Sequence, residues 1–284
     1  MNVMGKRILV FLFAFSITLA FGQPTTYTNR IGMAFVLIPP GSIVIGRFDP
    51  PYPKPPRPDS AVKTNQGVQW TQKDYQLAET LVKQDADTGF SVMISRSFYI
   101  GKFEVTQTQW QQVMGTNPSA FQGSKVSDNA DEHPVEQVTW QDTQKFLARL
   151  NALDKEHRYR LPTEFEWEYA ARAGATDDIP WKTIWASAQM GSMTTSAVGK
   201  KAPNAWGLYD TLGNVWEWVQ DAYNGKLFAT QPGMSNRSSR LDNQHVLKGA
   251  SFVGDVKNAT YMTHAAGPGN GWDVGFRVVM EPKL

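Results

Sequence analysis

The chain has 284 residues and not one cysteine. No disulfide, thiolate metal site or cysteine nucleophile can hold this fold together or carry its chemistry. Stability must come from an apolar core, and the residues for one are present: 41% of the chain is hydrophobic, with 15 Phe, 10 Trp and 9 Tyr. A chain so rich in large apolar groups is not an intrinsically disordered one. Its length suits one sizeable domain or two small ones.

The formal charge of +2 belongs to the first residues. Lys6 and Arg7 precede an apolar run from Ile8 to Phe21, and Ala20-Phe21-Gly22 offers a cleavage site before Gln23. That is the pattern of a secretory signal peptide over residues 1–22, too short and wrongly flanked for a spanning helix. Without Lys6 and Arg7 the 28 basic residues become 26, against 26 acidic ones, so the mature chain is neutral. Neutrality gives no electrostatic case for nucleic acid or an acidic membrane. No later segment is apolar enough to span a bilayer, and with no cysteine there is no lipidation site. The expected product is exported, periplasmic or extracellular, and not a lipoprotein.

Residues 23–284 read as one domain. Met33–Ile38, Pro39-Pro40-Gly41 and Ser42–Gly46 suggest two short strands joined in a hairpin. Six prolines then crowd Asp49 to Ser60, and the stretch from about 47 to 95 is too poor in large apolar residues for a core of its own. It reads as a Pro-rich insertion, with one helix around Gln72 to Gln84. Beyond Arg96, Phe98, Ile100 and Phe103 lie on a β-like segment. Three helix starts follow the same grammar: Thr106 with Gln109, Thr139 with Asp142, and Thr163 with Glu166, with Gly115 and Gly174 placed to end the first and third. Glu168 stands four residues before Arg172, a supporting pair in the favourable orientation. Strands are predicted at Val215–Val219, Val246–Phe252 and Gly275–Met280. There is no βαβ alternation with a phosphate loop, so the class is α+β with much irregular backbone.

Several stretches together resemble the formylglycine-generating-enzyme, or sulfatase-modifying-factor, family. They are Phe35-Val-Leu-Ile-Pro-Pro-Gly41, Lys102-Phe-Glu-Val-Thr106, His133-Pro-Val-Glu-Gln-Val-Thr-Trp140, Tyr159 to Arg172, Pro203 to Trp218 and Gly275-Phe-Arg277. The resemblance runs from about Met33 to Val279, apart from the insertion. It implies a variant of the C-type-lectin-like fold, with short capped helices packed on small antiparallel sheets and often calcium inside.

The family's oxidising members carry a copper-binding cysteine pair after a Gly-Gly-Ser-like strand. Here that strand is Gly249-Ala-Ser-Phe252, and the resemblance puts Gly254 and Ala259 where the cysteines would stand. A soft Cu(I) site of this kind needs thiolate sulfur, so no copper is expected and formylglycine synthesis by that mechanism is excluded. An iron-dependent branch uses paired histidines, but His133, His157, His245 and His264 are scattered, and lone histidines are mostly structural. For calcium, the resemblance implies the Asp210 side chain, the Gly213 and Val215 carbonyls and the Glu217 side chain, hard oxygens that suit this ion. The alternative is that Asp210 caps a turn and Glu217 pairs with Arg172 or Arg277. A second family calcium site falls on residues 186–196, which hold no carboxylate. Adjacent members of the trio Glu164, Glu166 and Glu168 do not converge on a helix; only Glu164 and Glu168 share a face, and the set is read as capping and pairing residues. Trp272 follows a Gly-rich run and is expected to be exposed, so Asp255, His264 and Trp272 form a candidate ligand pocket.

Three functions are compatible with these residues. One is an exported non-catalytic binding or assembly module of the cell envelope, with another envelope protein as partner and a secretion or gliding apparatus as one setting. Another is a periplasmic oxidative tailoring enzyme whose chemistry needs no thiolate. The last is a lectin-like binder of a small molecule or glycan, diversified in its C-terminal segment.

Overall fold

The computed structural model describes residues 25–48, 72–73, 76–77, 80, 87–175, 181–223, 244–255, 260–261, 264–266 and 270–283. The signal peptide and most of the helix expected at Gln72–Gln84 lie outside them.

A five-stranded sheet forms the base. Its strands are β1 (Thr26–Thr28), β2 (Ala34–Ile38), β5 (Phe98–Gly101), β6 (His157–Arg160) and β11 (Val279–Pro282), in the order β1-β2-β5-β11-β6. A second sheet of four holds β7 (Trp216–Ala222), β8 (His245–Lys248), β9 (His264–Ala265) and β10 (Val274–Gly275), in the order β10-β7-β8-β9. The strand expected at Gly275–Met280 is thus shared out: β10 joins one sheet, β11 the other, and Phe276–Val278 crosses between them.

The runs on either side of Pro39-Pro40 are strands, but they do not form the expected hairpin. β2 pairs with β5, Ile38 opposite Phe98, while β3 (Gly41–Phe48) pairs with β4 (Asp87–Ile94), Gly41 opposite Ile94. The two ladders follow one another as a long ribbon with a break in the middle. β4 falls inside the stretch read as an insertion, so the last part of that stretch closes a ladder. Alternation fixes the face each side chain takes, not the strand it meets.

The helices follow their capping signals. α1 (Gln107–Met114), α2 (Trp140–Leu153) and α3 (Glu164–Arg172) start at Thr106, Thr139 and Thr163, each with a complete capping box. α1 ends on Gly115, with φ at 81°. α3 ends one residue before Gly174, because Ala173 itself takes the left-handed conformation. A fourth helix, α4 (Trp181–Ser187), was not foreshadowed.

Side chains from α1, α2 and the strands fill the first core. Trp110 stacks on Phe146 with centroids 5.3 Å apart, and both meet Phe276 edge-on. Truncating an enclosed ring such as Phe146 costs about 3–5 kcal/mol. A second core joins Ile38, Ile45 and Ile100 to Tyr169 of α3. A third joins Trp167 of α3 to Leu212, Val219 and Val246. α3 is therefore buried on two sides, and it delivers Trp167 and Glu168 to the second sheet.

Candidate functional site

The 209–215 loop leads into β7 and is held by backbone that few residues adopt. Gly213 has φ at 91°, and a Cβ there would stand 2.1 Å from the Gln189 carbonyl oxygen, so only glycine fits. Asn214, with φ at 57°, donates to Glu104 at 3.0 Å, while its Oδ1 accepts from Ser196. Asp210, with φ at 54°, accepts from the Gly199 backbone at 2.6 Å.

At the centre lies Arg277. Its Nε and Nη2 donate to both oxygens of Glu217, at 2.6 and 2.5 Å, and other bonds run to the carbonyls of Gly101 and Tyr209. Trp167 Nε1 adds a third bond to Glu217 at 2.7 Å. Glu104, Asp210 and Glu217 are all buried around this one guanidinium. Burial, with Asp210 and Glu217 close by, pushes the Glu104 carboxyl well above its ordinary range. Burial likewise raises Asp210 to about 6, against the lowering effect of its Gly199 bond and of Arg277.

Of the two sequence readings for Glu217, pairing with Arg277 is what the structure contains, while Arg172 pairs with Glu168 instead. This bears on calcium. The acid excess is of the right sign for a cation, and Asp210 offers a buried carboxylate. Glu217, however, already accepts from Arg277 on both oxygens, and a guanidinium at that distance repels a metal ion. Glu217 does not fit as a calcium ligand in this arrangement. Among the described residues no three His, Asp or Glu side chains are grouped to hold a metal.

Beside the loop runs the segment where the resemblance placed copper. Gly249 accepts from the Gly213 backbone, Phe252 donates to Asn214, and Ser251 donates to Asp273 at 2.8 Å. Gly254 is bonded to Ser251 and Gly191, and a Cβ there would meet the Ser251 carbonyl at 3.1 Å and the Met190 sulfur at 3.5 Å. Ala259 lies outside the described residues. Trp272 is 47% exposed, as expected, and its ring meets Phe121 and Phe252 at 6.0 and 5.2 Å. His264 stands opposite Lys248 on β9, and Asp255 is exposed. The pocket expected between Asp255, His264 and Trp272 borders residues 256–259, 262–263 and 267–269, outside the described ones.

Three histidines have structural partners. His133 is bound by Asp128 and Thr195, His157 by Asp154, and His245 stacks on Trp140 at 3.7 Å. Glu166 completes its cap and is gripped by Arg160 at 2.6 and 2.7 Å. Two functionally placed residues escaped the sequence reading. Glu104 stood in a recognised motif without a role, and Lys248, fully buried against Glu168 at 3.0 Å, was read only as part of a strand. A single charged residue amid apolar neighbours was the signal for both.

A model of the sulfatase-modifying factor enzyme 1-like domain matches residues 21–282. The chain belongs to this family. The chain is 30% identical over 240 residues to the chaperone protein LppX of Paenibacillus barcinonensis, covering 64% of this chain and 79% of that one. The formylglycine-generating enzyme of Streptomyces coelicolor is 31% identical over 164 residues, about half of each chain. The inactive Cα-formylglycine-generating enzyme 2 of Mus musculus is 31% identical over 166 residues, 52% of this chain and 45% of that one. The chain thus matches only about half the length of these two relatives. Among solved structures, Treponema denticola variable protein 1 superposes with a TM-score of 0.65 at 25% identity, covering 90% of this chain and 99% of the other. PvdO from Pseudomonas aeruginosa does so at 0.62 and 23%, which supports the α+β fold alone.

Proposed function

We propose that this chain is an exported, non-catalytic member of the family that works as a binding or assembly module for another envelope protein. The observation that carries this reading is the segment ending in Gly254, where a family cysteine would stand and the chain offers close-packed backbone and a thioether. With no thiolate anywhere, the copper-dependent oxidation has no ligand set. The charge cluster around Arg277 is sealed from solvent and serves to fix the loop, not to meet a substrate. Similarity to a protein named a chaperone, over most of that protein's length, points the same way.

The test is affinity capture of the mature chain from its native envelope, together with incubation of the purified chain with copper, oxygen and a cysteine-containing sulfatase peptide. A stoichiometric protein partner and an unchanged peptide are expected. Aldehyde formation on the peptide, or recovery of a small molecule alone, overturns the reading. The exposed Trp272, backed by Phe121 and Phe252, favours one second reading, a binder of glycans or small ligands. Loss of ligand capture on Trp272→Ala would support it.

A further inference from the structure

The ribbon formed by the two successive ladders breaks beside the base sheet. β5 pairs with β11 at Tyr99 opposite Met280 and Ile100 opposite Val279. Carried further, that register would set Glu281 opposite Phe98 and Pro282 opposite Ser97, but pairing stops. Pro282 has no N–H to give, and Glu281 and Pro282 continue with β6 alone. On the other side, the chain from β5 back into β4 turns away to pair with β3. Where the two strands part, a cleft of about 410 Å³ opens, lined by Met93 to Phe98 on one wall and by Glu166, Glu281 and Pro282 on the other.

Three features of this cleft suit an extended peptide. Along Ser91 to Ile94, β4 has a neighbouring strand on its β3 side alone among the described residues, so toward those residues its opposite edge presents backbone donors and acceptors. The side chains available are mixed: Met93 is 77% exposed, and Ile94, Phe98 and Pro282 add apolar wall. The charges stand apart. Arg96 is exposed and has no ion-pair partner among the described residues. The facing Glu281 carboxylate is 37% exposed and steadied by Arg160, whose other side grips Glu166. A cation on one wall and a carboxylate on the other match a strand that carries one acidic and one basic side chain.

We propose that the cleft is a strand-acceptor site, in which an extended segment of a partner protein pairs with the edge of β4, setting an acidic residue against Arg96 and a basic one against Glu281. Main-chain bonds supply affinity in this mode of recognition, and flanking side chains supply selectivity. The proposal rests on the binding-module reading and names the face that reading would use.

The probe is a seven-residue peptide of alternating Val and Thr carrying one Glu and one Lys, capped at both ends, added to the mature chain. Binding is expected to slow amide exchange along residues 91–96. N-methylation of the peptide backbone at two alternate positions should weaken binding about tenfold, the effect of losing two ladder bonds. Arg96→Glu, a change at an exposed side chain, should weaken it about threefold to fivefold, and a peptide with Lys in place of its Glu should restore it. Indifference to both N-methylation and Arg96→Glu overturns the site, as does protection confined to other strands, self-association of the chain through β4, or no binding near 1 mM. If the Arg96→Glu chain still captures its envelope partner at full yield, the cleft is wrong and the binding-module reading stands.

Discussion

Two buried charge clusters meet at Trp167 and are built on opposite principles. On one side of the ring, Nε1 donates to Glu217, which belongs with Glu104, Asp210 and Arg277. On the other, Lys248 lies over the ring face at 5.7 Å and pairs with Glu168, which also holds Arg172, with Glu164 at 3.9 Å from Lys248. Among the described residues the second cluster sets Glu164 and Glu168 against Lys248 and Arg172, an acid for each base. The first sets three acids against one base; burial raises the pKa values of Glu104 and Asp210, and the neighbouring carboxylates add to it. A buried acid surplus is relieved by a proton or by a cation, and with Arg277 already in place as the cation this cluster should respond to pH.

The largest effect should come from Arg277→Met, which leaves Glu217 without its partner beside two more carboxylates. A loss of about 3–5 kcal/mol is expected, read as a lower urea midpoint, and Glu217→Leu in the same chain should recover most of it. A cost below about 1 kcal/mol would mean that the cluster is hydrated. Lys248→Met should cost less, about 2–3 kcal/mol, because Glu168 keeps Arg172. Equal losses for these two variants would remove the contrast between the clusters.

Asp210→Asn should work in the opposite direction. Its folded pKa of about 6 lies above the ordinary 3.8, so protonation favours the native state. The contribution is present below about pH 4 and is lost as pH rises through 6. The Asn variant, which can still accept from Gly199, should be more stable than the parent at pH 8 by about 1–2 kcal/mol and no different at pH 4. Calcium provides the sharper version. Millimolar calcium should leave the melting temperature unchanged if Arg277 already serves as the cation; a rise that vanishes in Asp210→Asn would place the ion at this loop. The smallest effect is expected from Arg160→Met at the partly exposed Glu166 and Glu281, about 1 kcal/mol in the same urea titration.

The helices were legible because their information is local. Thr106, Thr139 and Thr163 cap within three residues of themselves, and Glu168 reaches Arg172 one turn away, so a short window contains both partners. The ribbon was not legible. β2 and β3 were visible as strands, yet their partners lie beyond the Pro-rich stretch, and alternation carries no label for them. The site divides in the same way. Asp210, Gly213, Val215 and Glu217 were all located in one loop and the strand it enters, but Glu104 and Arg277, which decide what that stretch can bind, come from 106 residues before Asp210 and from the last strand crossing.

By itself the sequence determined that no thiolate chemistry is open to this chain, that an apolar core must carry its stability, and that three capped helices stand among short strands. Those conclusions depend on which residues exist and on contacts within a turn. The tertiary structure decided that Glu217 belongs to Arg277, that Lys248 is buried, and that the base sheet and the ribbon part company at Pro282 to leave a cleft. Each of these sets side chains distant along the chain against one another in a low-dielectric interior, where the neighbour, not the residue type, fixes charge and role.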